Sequence, residues 1–182
     1  HAETSTGDWQ PLEEIANISN NAGALFLVDA VTSLGGCPVK LDECGIDACY
    51  SGTQKCLSAP PGLSPVSFNE RARQVITSRK KKVQSWYLDM SMIEKYWGKE
   101  RTYHHTEPIT MVYGLREALR LIQEEGLEYC FKRHELNHKA LKKGLEKLGL
   151  SLHAREGHRL WMLNTVRVPE GVFNNPVVNS LC

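Results

Sequence analysis

Two residues stand out as equipped for chemistry, an aspartate and a lysine that each follow a short apolar run. Asp29 lies near the end of "ALFLVDAV" (24–31), where an ionised carboxylate is costly unless a cation or hydrogen-bond donors meet it. Lys55 lies in "SGTQKCLSAPPG" (51–62), just after the next strand-like run, "IDACYS". Lysines elsewhere form surface-type runs such as Arg79-Lys80-Lys81-Lys82, whereas Lys55 is set alone among small residues and prolines. A lysine amine condenses with carbonyls when its surroundings lower its pKa. In parallel sheets, ligands bind outside the carboxyl ends of the strands. An acid at one strand end and a lysine at the next would suit pyridoxal phosphate: the carboxylate pairs with the ring nitrogen, making the ring an electron sink, and the lysine holds the aldehyde carbon. By spacing alone, the same pair also reads as a buried salt bridge or a surface lysine.

A second chemistry is written in "HELNH" (134–138), which matches H-E-x-x-H. On a helix, His134 and His138 share a face and could bind zinc, with Glu135 as general base, which would make the protein a metallohydrolase. Against this stand the flanking cations Lys132, Arg133 and Lys139 and the lack of a third-ligand motif downstream. Both histidines also continue an amphipathic stripe, so packing is the better reading and no metal site is expected.

The elements that must position these residues follow from periodicity. Pro11 to Asn21 reads as a helix, with Pro11 at its start, Glu13 and Glu14 at its positive end and Gly23 ending it. The continuous run 24–31 reads as a strand buried on both faces, as in a parallel sheet. "IDACYS" and "LSPVSF" (63–68) read as further strands, and 69–78 as a helix. Two long helices follow. One spans about 109–125 with Val112, Leu115, Leu119 and Ile122 on one face; the other spans about 127–148 with Leu127, Phe131, His134, His138, Leu141, Leu145 and Leu148 as its stripe. "SLHA" and "LWMLNTVRV" read as strands of a smaller α+β unit. The alternation predicts an α/β layer fold.

Composition narrows the class. The 182 residues are 41% hydrophobic, enough for a core. A net charge of +1 argues against a nucleic-acid-binding domain, which needs a basic face. No apolar run approaches the roughly 20 residues of a membrane span. No signal peptide is read at the start. The six cysteines form no C-x-x-C pair and read as reduced, which points to an intracellular compartment. Both ends, "HAETSTG" without a methionine and the polar "FNNPVVNSLC", read as cuts through a longer protein.

"HAETSTG", "LVDAVTSLGG", "GIDACYSGTQKCLSAPPGLSPVSF", "YWGKERTYHHTEP" and "LREALRLIQEEGLE" together closely resemble the alanine–glyoxylate and serine–pyruvate aminotransferases, class V, fold-type I enzymes that use pyridoxal 5'-phosphate. The resemblance covers about residues 1–172. It implies a partial fold-type I structure: a mostly parallel sheet with flanking helices in a cofactor domain (1–122), plus part of a small C-terminal domain (123–182). It implies transamination from alanine or serine to glyoxylate. Lys55 matches the Schiff-base lysine, which also moves the proton between substrate and cofactor carbons. Asp29 matches the partner of the pyridinium nitrogen. Val31, two along from Asp29 and so on the same strand face, matches a residue packed on the ring. Thr4 matches the hydroxyl donor to the phenolic oxygen, and Gln54 a phosphate contact. Tyr103 and Thr106 match phosphate contacts that reach into the neighbouring subunit's site, which implies a homodimer. Relatives are peroxisomal, mitochondrial or cytoplasmic, and "SLC" is not the S-K-L peroxisomal ending.

The family pattern also carries a glycine-containing phosphate loop and a ring-stacking aromatic upstream of "ETSTG", and a carboxylate-binding arginine near its C-terminus. None falls in this sequence, and Arg155, Arg159 and Arg167 are not at that motif. The expectation is therefore that this chain alone binds the cofactor poorly and does not transaminate. An alternative is a truncated, non-catalytic form that dimerises with a full-length enzyme.

Overall fold

The computed structural model describes residues 1–172, and the polar tail at 173–182 lies outside the described residues. The chain opens with an antiparallel ribbon, β1 (Ala2–Glu3) against β2 (Asp8–Trp9), closed by a turn in which Gly7 adopts φ +79°. Helix α1 (Leu12–Asn21) follows Pro11, with Glu13 and Glu14 in its first turn, and the chain leaves it through Gly23 at φ +69°. This matches the start and stop signals in the sequence.

Strands β3 (Leu27–Asp29), β4 (Ala48–Tyr50) and β5 (Val66–Phe68) form one sheet in the order β3-β4-β5. The β3–β4 pair is parallel and sets Val28 opposite Cys49 and Asp29 opposite Tyr50. The β4–β5 pair is antiparallel. The α/β architecture is as expected, and among the described residues this sheet has one parallel and one antiparallel pair. Proline-rich residues 60–65 carry the chain from the Lys55 loop back alongside β4, which makes β5 antiparallel to it.

One sheet face is buried. Val28, Cys49, Ala30, Ile46 and Leu12 form the core, with Phe26, Leu34, Val39 and Leu41 packed against it. On the other face Leu27, Asp29, Tyr50 and Val66 are exposed, while Ala48 is buried and Phe68 half-buried. The expectation that 24–31 is covered on both sides is thus corrected. The regular strand is also shorter than the apolar run, which lets Phe26 serve the β4 side through its carbonyl, accepting from the amides of Asp47 and Ala48.

The buried Asp47 pins the base of the sheet. Its carboxylate accepts from the amide of Phe26 (2.7 Å) and the side-chain amide of Asn69 (2.9 Å), and its carbonyl accepts from the amide of Asn69. Asn69 in turn caps α2 (Glu70–Thr77) by accepting from the amide of Ala72 at 2.9 Å. A helix absent from the sequence reading, α3 (Met90–Trp97), is capped by Asp89. Met90, Ile93 and Tyr96 lie at helical spacing and are half-buried, and no residue of this short helix is fully buried.

Helices α4 (Ile109–Glu125) and α5 (Leu127–Lys147) run as expected and turn at Gly126, whose φ of +85° is open to glycine. The α5 stripe is buried only in its middle, at Cys130, Phe131 and His138. The two runs expected as strands in the tail are mostly irregular. Leu152 and Val166 form a single antiparallel bridge, while Arg159 bridges to Asp8 and the amide of Leu160 donates to Gly7. The second run is therefore shared between two partners and extends neither ladder.

Candidate active site

Asp29 and Lys55 leave the same edge of the sheet, Asp29 as the last residue of one parallel strand and Lys55 in the loop after the next. The two loops are tied together. The amide of Ala30 donates to the carbonyl of Tyr50 (2.9 Å), the buried Ser51 hydroxyl donates to the carbonyl of Ala30 (3.0 Å), and the Cys56 thiol donates to the carbonyl of Thr32 (3.3 Å). Small residues make this approach possible. A Cβ on Gly52 would stand 3.3 Å from Cγ1 of Val31 and 2.7 Å from Oε1 of Gln54.

The rest of the Lys55 loop is braced against itself. The fully buried Thr53 donates from its hydroxyl to the carbonyl of Pro60 (2.6 Å) and accepts from the amide of Ala59 at its own carbonyl (3.0 Å). The amide of Ser58 donates to the carbonyl of Lys55, and Ser58 holds φ +59°, a left-handed conformation rare for a residue with a side chain. The result is a fixed turn whose buried residues are Ser51, Gly52 and Thr53 and whose exposed residues are Gln54 and Lys55.

Asp29 is exposed at the strand end, so its carboxylate is met by donors and not enclosed in apolar surroundings. Oδ1 accepts from the amide of Val31 at 2.8 Å, and Oδ2 accepts from the Tyr50 hydroxyl at 2.7 Å. That bond and the negative charge of Asp29 hold the Tyr50 phenol above the ordinary tyrosine range. Tyr50 is absent from the residues picked out in the sequence. The signal for it is the strand register, which a single run of residues does not carry.

Val31 lies beyond the last regular residue of β3, in a turn, so strand alternation does not place it on the face of Asp29 as expected. It is nonetheless half-buried against Gly52, beside the lysine turn. Thr4 is exposed in the turn between β1 and β2. That ribbon is joined to the end of β3 by the backbone nitrogen of His1, which donates to the carbonyl of Asp29 at 2.9 Å. Tyr103 and Thr106 are hydrogen-bonded to each other at 2.7 Å on an exposed segment before α4. Among the described residues, neither side chain bonds to the Asp29 or Lys55 loops.

The residues of the H-E-x-x-H motif are engaged as follows. His138 is buried with Nδ1 2.6 Å from Oδ1 of Asn164, and Glu135 is paired with Lys139 at 2.5 Å. Burial, reinforced by the neighbouring Arg133 charge, holds His134 below the ordinary histidine range. Among the described residues, no three His, Cys, Asp or Glu side chains gather as metal ligands.

The family model for aminotransferase class-V matches residues 1–169. The chain belongs to the class-V aminotransferase family. Its members are pyridoxal-phosphate enzymes of fold type I, and the α/β architecture here is that fold in part. The (S)-ureidoglycine–glyoxylate transaminase of Bacillus subtilis is 42% identical, over 100% of this chain and 48% of the relative. The alanine–glyoxylate aminotransferase of Mus musculus is 45% identical, over 94% of this chain and 42% of the relative. Among solved structures, an alanine–glyoxylate aminotransferase from Nostoc sp. superposes with a TM-score of 0.96 at 51% identity, covering 100% of this chain and 48% of that one. The chain thus spans about half the length of the relatives it matches.

The residues present fit this family's cofactor. A cationic ring nitrogen has an exposed, hydrogen-bonded carboxylate to meet at Asp29. An aldehyde carbon has the amine of Lys55 on a braced turn. At Gly52 the absence of a Cβ lets Val31 and the Gln54 side chain close in beside the lysine turn.

Proposed function

We propose that this chain carries the cofactor-attachment part of a pyridoxal-phosphate aminotransferase that passes an amino group to glyoxylate. The observation that carries the reading is the pair of loops after β3 and β4, tied by three hydrogen bonds and offering a carboxylate and an amine from one sheet edge. Glyoxylate as acceptor is supported by what the names of two relatives share. Alanine or serine is the proposed donor, with ureidoglycine as the competing one.

The cofactor, when bound, supplies an electron sink for the charge that develops on the substrate carbon. The protein's own groups do the rest. Lys55 would hold the cofactor's aldehyde carbon, and its amine would serve as general base and acid toward the proton on the substrate carbon. Asp29 keeps the ring nitrogen protonated by offering it a negative partner. Val31 packs beside the ring, Thr4 donates to its phenolic oxygen, and Gln54 contacts the phosphate. Tyr103 and Thr106 serve the phosphate of the neighbouring subunit, so the working form is a homodimer. In this division, residues up to about 122 belong to the cofactor domain and the remainder to a smaller one.

A protein extended to the full length of its relatives, supplied with pyridoxal phosphate, glyoxylate and one amino donor at a time, tests the reading. Glycine should form with alanine or serine. Cofactor held at Lys55 without glycine from any of the three donors would refute the glyoxylate assignment.

A further inference from the structure

We propose that Tyr50 is a positioning residue for Asp29, fixing the orientation of its carboxylate where it meets a cationic ring nitrogen. The inference rests on the reading of Asp29 just given.

The parallel register places Tyr50 directly beside Asp29, so their side chains leave the same sheet face. The neighbours Val28 and Cys49 point into the core on the opposite face. Tyr50 is 47% exposed, so its ring contributes little to the core. Its hydroxyl is committed to Oδ2 of Asp29 at 2.7 Å, while the amide of Val31 holds Oδ1 at 2.8 Å. One donor on each oxygen fixes both side-chain torsions of the aspartate. A carboxylate has about four lone-pair sites, so two donors leave room for a third partner. A hydrogen bond to an ionised acceptor is short, strong and directional, so it holds the carboxylate in one orientation. The raised pKa of the phenol is the other side of the same bond. Phenylalanine would suit the strand as well as tyrosine, so what the sheet does not require is the hydroxyl.

The test is a double-mutant cycle on cofactor binding, with Tyr50→Phe, Asp29→Asn and the double variant, reading the pyridoxal-phosphate dissociation constant by protein fluorescence. Tyr50→Phe should weaken binding about tenfold, the order of one charge-assisted hydrogen bond, and should add little on top of Asp29→Asn. A second reading needs no cofactor. With ¹³C-labelled tyrosine, the Tyr50 phenol should titrate at lower pH in Asp29→Asn than in the parent protein. Unchanged binding in Tyr50→Phe, a full Tyr50→Phe effect persisting in the Asp29→Asn background, or a phenol that ignores Asp29→Asn would each overturn the inference. A parent protein that takes up no cofactor at Lys55 would instead overturn the proposed function beneath it.

Discussion

Lys55 and Asp29 are legible because each is punctuated: the lysine by glycine and prolines, the aspartate by an apolar run that should not end in a charge. What the residues do to each other is less legible. The run 24–31 suggests an enclosed carboxylate, whereas Asp29 is exposed and satisfied by the Val31 amide and the Tyr50 hydroxyl. Tyr50 lies on another strand, and only register brings it there. Lys55→Ala should lower amino transfer by roughly a hundred- to ten-thousand-fold, the range for losing a positioned proton carrier, with steady-state glycine formation as the check. Gly52→Ala tests the close approach. Its methyl would meet Gln54 at 2.7 Å, and that amide is flexible and exposed, so it is displaced at little cost to the fold. Preference for pyridoxal phosphate over pyridoxal should then shrink by about tenfold, the order of one hydrogen bond to a charged group. An unchanged preference would remove Gln54 from the phosphate site.

Among the elements, α1 can be read from its start and stop signals and α4 and α5 from their long stripes, while α3, at eight residues, is too short for its Met90–Ile93–Tyr96 spacing to repeat. The tail strands are overread: their residues have the right types, but β2 takes the partner groups of the start of the run. Asp47 ties β3, β4 and α2 into one unit, and Asp47→Ala would orphan the buried amides it serves. A loss of about 3 kcal/mol in urea unfolding is expected. The α4–α5 corner has a pH signature. Hydrogen bonds from Arg133, with help from the Cys130 thiol, bring Glu125 from 4.5 to about 2. A depressed carboxyl stabilises the fold above its unfolded value, so this contribution is complete above pH 4.5 and disappears as pH falls toward 2. Glu125→Gln should flatten that part of the acid-unfolding curve, and an unaltered curve would show that the corner is not coupled to stability.

For the whole molecule, the α/β class is legible from alternation, but the mixed sheet is not, since strand direction depends on the path through residues 60–65. Large apolar side chains stand open on several faces, among them Leu27 at 65% and Tyr103 at 68% exposed. The proposed dimer, with its shared active site, would give the Tyr103 segment a role. In protein extended to the length of the relatives, mixing Lys55→Ala with a Thr106→Val variant of lowered activity should raise activity above that of either alone, because one of the two sites in a mixed dimer then has both residues, about half of a parent dimer. No rise would place Thr106 outside the partner's site. The most direct test of cofactor attachment is borohydride trapping. The purified chain is incubated with pyridoxal phosphate, reduced, digested and mapped by mass spectrometry, with Lys55→Ala as control. A dominant adduct on Lys55 that vanishes in the variant is the predicted result; labelling scattered over surface lysines such as Lys80, Lys81 and Lys82 would contradict it.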